Sequence, residues 1–170
     1  MLIVLTEDNY FLSGLEPINS NEWVYSIRGK VIILDDGFNF LYFIDATDLF
    51  VDCFSYDFSG EVIPFFLKNV KSSLPRSCSI EKIKSEVDKI LTGLYRRSSL
   101  TLKEHMVLLS FKNSNYSLER TPWSSVGMNY KAWSSIKSSA YLKLGIKNNA
   151  GFIHAIHAIC RHKYQVFTLR

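Results

Sequence analysis

Acidic residues are missing from one long stretch of this chain. Between Asn129 and Asn149 there is no Asp or Glu, although the whole sequence holds 16 of them. A solvated helix face normally mixes Glu with Lys, because opposite charges four residues apart support each other. Cysteine is scarce too. Cys53, Cys78 and Cys160 are odd in number, far apart and without a CxxC pair. That pattern argues against a disulfide framework and leads us to expect a reducing cytoplasm. No run approaches the roughly 20 uncharged apolar residues that span a bilayer. The most apolar stretch, Phe38 to Phe54, is broken by Asp45, Asp48 and Asp52, so no membrane association is expected. The opening MLIVLTEDNYF has no basic residue and carries Glu7 and Asp8, which is not a secretory signal pattern. A Gly-rich phosphate loop, metal-ligand spacing and a nucleophile–base set are likewise missing, so the expectation is no enzyme and no cofactor.

What is present is enough apolar material for real cores: 47% of 170 residues. The charge is divided unevenly. Residues 1–75 hold four Lys and Arg against eleven Asp and Glu, whereas residues 98–170 hold ten against two. Such asymmetry predicts an acidic module joined to one that binds a polyanion.

The first part reads as short strands and turns. Leu2–Leu5, Trp23–Ile27, Val31–Leu34 and Phe40–Ile44 are expected strands, with a helix starting at Tyr10 and ended by Pro17. Val62–Val70 fits either type, and the polar Lys71–Ser79 reads as a loop. Ile80, Ile83, Val87, Ile90, Leu91 and Leu94 predict an amphipathic helix capped by Ser79. From Leu100 on the pattern is helical. Thr101 with Glu104 forms a capping box for a helix to about Phe111. Thr121-Pro122 starts a short helix, Gly127 turns the chain, and Asn129 caps a longer helix that Gly145 ends. A last helix over about Ala150–His162 follows. A short helix, a Gly turn and a longer helix make a helix-turn-helix arrangement.

Within the long helix, Trp133, Ile136, Ala140 and Leu144 give the expected apolar stripe. Lys131, Ser134, Ser135 and Ser138 lie opposite, a face suited to a polyanion. Trp133 is read as core. Lys137 lies beside the stripe and is expected to reach a phosphate, and Tyr141 and Leu142 are expected to be exposed to a partner.

These residues resemble the LuxR/NarL-type helix-turn-helix of bacterial transcription regulators. Leu100-Thr101-x-x-Glu104 is similar to the family's first-helix signature. Lys131-Ala132-Trp133-Ser134-Ser135-x-Lys137 falls where the family carries Lys-Thr-Val/Ile-Ser-Ser-x-Lys, and Lys143-Leu144-Gly145-Ile146 matches its closing Lys-Leu-Gly. The likeness covers about residues 99–160 and is closest to the RcsB-like and auxiliary regulators of enteric bacteria. Two departures stand out. Thr121, Pro122 and Trp123 replace the usual Glu-Ile-Ala, and Ala132 replaces Thr.

The resemblance implies a receiver-like α/β domain over 1–78, a connecting helix and linker over 79–98, and an all-α four-helix DNA-binding domain over 99–170. Glu7 and Asp8 sit where receivers keep metal-binding acids, and Asp45, with Asp35 as rival, sits like a phosphoacceptor. No Lys-Pro pair follows, so the receiver is expected to be degenerate and phosphorylation-independent, its acids acting as turn formers. Lys131, Ser134, Ser135 and Ser138 are expected in the major groove of promoter DNA, and Lys137 and Lys143 on phosphates. Phe152, Ile153, Ile156 and Ile159 are expected to pair the last helix with its twin or with a related regulator, placing half-sites about 34 Å apart. RNA polymerase is an expected further contact. The alternative is an auxiliary protein that modulates another regulator by heterodimerisation and binds little DNA itself. His154, His157, Cys160 and His162 are read as helix-flanking groups, since Cys160 and His162 fall off the shared face of the first two.

Overall fold

The computed structural model describes residues 2–19, 30–47, 62–95, 100–114, 121–147 and 149–162. The strand expected over Trp23–Ile27 lies outside them. Four strands form one mixed sheet in the order β1 (Leu2–Leu5), β2 (Val31–Asp35), β3 (Phe40–Asp45) and β4 (Val70–Pro75). The described helices are α1 (Asn9–Asn19), α2 (Val62–Asn69), α3 (Ile80–Leu91), α4 (Leu102–Ser114), α5 (Pro122–Ser125), α6 (Tyr130–Leu144) and α7 (Asn149–His162).

Strand direction departs from what a receiver-like module implies. β1 and β2 are parallel, but β2–β3 and β3–β4 are antiparallel. The cause is local. Only Asp36–Asn39 separate β2 from β3, and so short a link permits a hairpin and not a crossover. Asp36 Oδ1 holds that turn by accepting the N–H groups of Phe38, Asn39 and Phe40 at 2.8–3.1 Å. Gly37 takes φ 75° inside it.

Alternation along the strands creates two apolar faces. Val31, Ile33, Leu41 and Phe43 meet Leu15 of α1 and Ile83, Val87 and Ile90 of α3. Ile32, Leu34, Tyr42 and Ile44 face the other way, onto Phe66 of α2, Leu108 of α4, Ala140, Tyr141 and Leu144 of α6, and Phe152, Ala155, Ala158 and Ile159 of α7. The core is therefore continuous across the boundary expected at residues 79–98. Ring contacts run from Tyr42 to Phe66, Phe152, Phe111 and Trp133, with centroids 5.5–6.1 Å apart. The Tyr42 hydroxyl donates to the Gly151 carbonyl at 2.9 Å and ties β3 to α7.

Three local expectations change. α1 continues through Pro17 to Asn19. α4 continues past Phe111 to Ser114. The segment read as a loop from Lys71 opens with β4, an edge strand with a register shift opposite Phe43/Ile44. An edge tolerates Ser72, Ser73 and a terminal Pro75, because half its backbone groups need no ladder partner.

Candidate nucleic-acid interface

α6 starts where its cap dictates. The Asn129 side chain accepts the Ala132 N–H at 2.9 Å, with Asn129 itself extended at φ −77°, ψ 158°. It ends at Gly145, φ 69°, where the Gly145 N–H reaches Leu142 O and the Ile146 N–H reaches Tyr141 O. The Ser73 hydroxyl donates to the Gly145 carbonyl, fastening the end of α6 to β4.

The inward side of α6 holds Trp133, Lys137, Ala140, Tyr141 and Leu144. The Trp133 indole N–H donates to Ser110 Oγ at 3.2 Å, and Ser110 donates in turn to the Val107 carbonyl. Two expectations are corrected here. Tyr141 is buried, not exposed to a partner, and burial pushes its phenol pKa up. Lys137 is only 8% exposed, with its ammonium 4.4 Å from the centre of the Trp133 ring. Burial lowers its pKa, and the side chain lies on the inward side of α6 instead of standing out with Lys131. Ile136, expected on the stripe, is half-buried at its margin.

The outward side carries Lys131, Ser135, Ser138 and Leu142, all exposed, with Ser134 half-buried beside them. The Ser138 hydroxyl donates back to the Ser134 carbonyl at 2.9 Å. The structure thus places the four expected groove residues on one side of one helix. Lys143 is not on that side. Its ammonium pairs with Glu104 at 2.8 Å.

Glu104 is a tether that the sequence revealed only in part. Its carboxylate accepts the Thr101 N–H at 2.7 Å, and the Thr101 hydroxyl accepts the Glu104 N–H, completing the capping box. The same carboxylate reaches across to α6, accepting from Ser139 at 2.7 Å and from Lys143. Burial works to raise its pKa. The Lys143, Thr101 and Ser139 donors outweigh burial and hold it at about 2. Nothing in local spacing links residue 104 to residue 143.

At the turn into α6, Trp123, Tyr130 and Trp133 form an aromatic bracket with centroids 5.1–6.2 Å apart. On α7, Phe152 and Ile159 lie in the core and Ile156 packs against it. Of the four residues expected at a dimer contact only Ile153 is exposed, beside Ala150 and His157. His154 stacks on Phe38 with centroids 4.1 Å apart. The side chains of Cys160 and His162 lie outside the described residues. Among those described, no group of three His, Cys, Asp or Glu is arranged to hold a metal, and no helix is long and apolar enough to cross a membrane.

The acids expected near a phosphoacceptor assemble only in part: Asp8 and the rival Asp35 meet at Arg76, and Asp45 stands apart. Arg76 bridges Asp8 at 2.5 Å and Asp35 at 3.1 Å, and Thr6 donates to Asp35 at 2.7 Å. Asp8 also caps α1 through the N–H groups of Phe11 and Tyr10, which with Arg76 lower its pKa. Asp45 pairs with Lys71 and lies opposite Val31, at the other end of β2 from Asp35. Reversal of β3 in the hairpin puts it about 13 Å away, four residues of strand.

No protein-family model, curated protein or solved structure matches this chain.

Proposed function

We propose that the chain is a DNA-binding transcriptional regulator that lays the outer face of α6 in the major groove. One observation carries this reading: Lys131, Ser135 and Ser138 are exposed in line on a helix whose opposite side is anchored in the core, with no carboxylate on that helix. A cation and small hydroxyls without acids suit phosphates and base edges, and the buried side fixes the helix that must enter the groove. In this reading α4–α7 are a LuxR-type helix-turn-helix unit in the cytoplasm. The sheet with α1–α3 is a platform that departs from a receiver in strand direction, and it works without phosphorylation because Asp45 stands apart and Arg76 occupies Asp8 and Asp35. Lys131, Ser134, Ser135 and Ser138 form the contact set. The exposed side of α7 at Ile153 is what that helix offers a second copy or a related regulator.

Binding of the full chain to mixed promoter fragments across a salt series tests the reading. The expected result is one fragment retained above background, with affinity falling steeply as salt rises. Lys131→Glu should abolish that retention, and unchanged affinity would refute the groove assignment. Leu142, 84% exposed at the far end of the same face, favours a second reading: a regulator that binds DNA firmly only beside a partner protein. DNA binding that is weak alone and strong after adding a related regulator would select it.

A further inference from the structure

Tyr130 opens α6 within the aromatic bracket and is not among the residues of the proposed groove contact. The residue is 58% exposed, yet its ring packs against two others. Trp123 meets it edge-to-face at 5.1 Å, and Trp133 lies nearly parallel at 6.2 Å. Trp133 is itself fixed by its hydrogen bond to Ser110 and by Phe111 at 5.5 Å. The ring therefore projects from a rigid bracket. Its hydroxyl makes no hydrogen bond among the described residues, whereas the buried Tyr42 hydroxyl does.

Helical spacing fixes where this ring stands. Tyr130 and Ser134 are four residues apart and so neighbours along the helix, which puts Tyr130 one turn before Ser134 at the margin of the Lys131–Ser138 face. The N-terminal part of a groove-bound helix lies nearest the duplex, and residues at its margin meet the sugar–phosphate rim rather than base edges. A phenol is a neutral donor of the right kind for a phosphate oxygen, and two χ angles held by aromatic neighbours leave little entropy to lose on binding.

Resting on the DNA-binding reading above, we infer that Tyr130 is a phosphate-positioning residue of the interface, its hydroxyl donating to a backbone phosphate beside the groove that α6 occupies. Trp123, edge-to-face with the ring at 5.1 Å, is the brace that aims it.

The test is Tyr130→Phe in the full chain, measured on the best-retained promoter fragment and on an unrelated duplex of equal length. The ring and its packing stay, so the thermal midpoint should not move. Loss of a hydrogen bond to a charged oxygen should weaken both duplexes about tenfold. The slope of log affinity against log salt should stay unchanged, because no cation is removed. Trp123→Leu should reproduce part of this loss with Tyr130 intact. Affinity unaltered by Tyr130→Phe, or a loss confined to the promoter fragment, overturns the phosphate assignment while leaving the DNA reading standing. Failure of the unmodified chain to bind either duplex at low salt overturns both.

Discussion

Two charged constellations sit at opposite fates in this molecule. At the C-terminal ends of β1 and β2, Arg76 satisfies Asp8 and Asp35, Thr6 shares the Asp35 oxygen that Arg76 holds, and the acids' other oxygens accept from Gly37 and the first turn of α1. On the outside of α6, Lys131 stands with Ser135 and Ser138, and no described carboxylate reaches it. The first set closes the fold on itself. The second leaves a cation and hydroxyls facing outward on a helix whose other side is packed into the core. Chemistry visible in sequence is therefore a poor guide to a site until one knows which groups satisfy one another.

That contrast is sharpest if the two regions share one body, and the largest prediction attacks this point. Phe152 touches Phe66, Phe111 and Tyr141 and is 1% exposed. Phe152→Ala should cost about 4 kcal/mol through lost burial and a cavity. Far-ultraviolet and tryptophan signals should fall together in one denaturant transition. Two separated transitions would show that sheet and helices fold apart.

Breaking the closed constellation comes next. Arg76→Met leaves the buried Asp35 carboxylate without its cation and should cost about 3 kcal/mol, measured by denaturation. DNA affinity of the folded fraction should be unchanged, because Arg76 is distant in role from α6. Loss of binding at full folding would make the acidic end part of the interface.

Glu104 links the two kinds of region, since it is satisfied internally yet sits behind the exposed face. Its folded pKa of about 2 lies below the ordinary 4.5, so its contribution is complete above about pH 4.5 and disappears as pH falls through 2. Glu104→Gln should lower stability by about 2 kcal/mol at neutral pH and flatten the pH dependence over that window. A variant as acid-sensitive as the parent would sink the assignment.

Groove contact by Lys131 predicts a smaller effect. Lys131→Gln should leave stability within about 0.5 kcal/mol. It should weaken duplex binding about tenfold, some 1.4 kcal/mol, as seen by fluorescence anisotropy.

How much of this was legible beforehand follows from range. α6 could be bounded from sequence because its cap at Asn129 and its stop at Gly145 act within a few residues. The capping box of Thr101 and Glu104 was legible for the same reason. The hidden items depend on partners far along the chain. β4 is too polar to announce itself, being an edge strand that pairs with β3. β3's direction followed from a four-residue link that reads equally as a turn or a loop. The apolar stripe that the spacing of α6 predicts lies toward one flank of its buried arc. The helix packs against both α4 and the sheet layer, so its buried arc widens to take in Lys137 and Tyr141 and leaves Ile136 at the margin. On α7, Phe152 and Ile159 fit a dimer contact in sequence and lie in the core in the structure, because no local pattern distinguishes a face for the chain's own sheet from one for a second chain.

Lys137 gives the finest test of the contrast between satisfied and outward-facing charge. In sequence it looks as available as Lys131, six residues away on the same helix. In the structure its ammonium lies over Trp133 and its pKa is lowered by burial. Lys137→Met keeps an unbranched apolar stem and removes the charge together with the terminal atom. With no acidic partner among the described residues, the charge is penalised by desolvation, which offsets the loss of its contact with the indole, so stability should stay within about 0.5 kcal/mol. Duplex affinity should be unchanged and the salt slope should keep its value. A phosphate-bound lysine would instead reduce that slope by about 0.9 and weaken all duplexes alike. Measuring Lys131→Gln and Lys137→Met side by side over one salt series therefore asks whether burial, and not position on the helix, decides which lysine meets DNA.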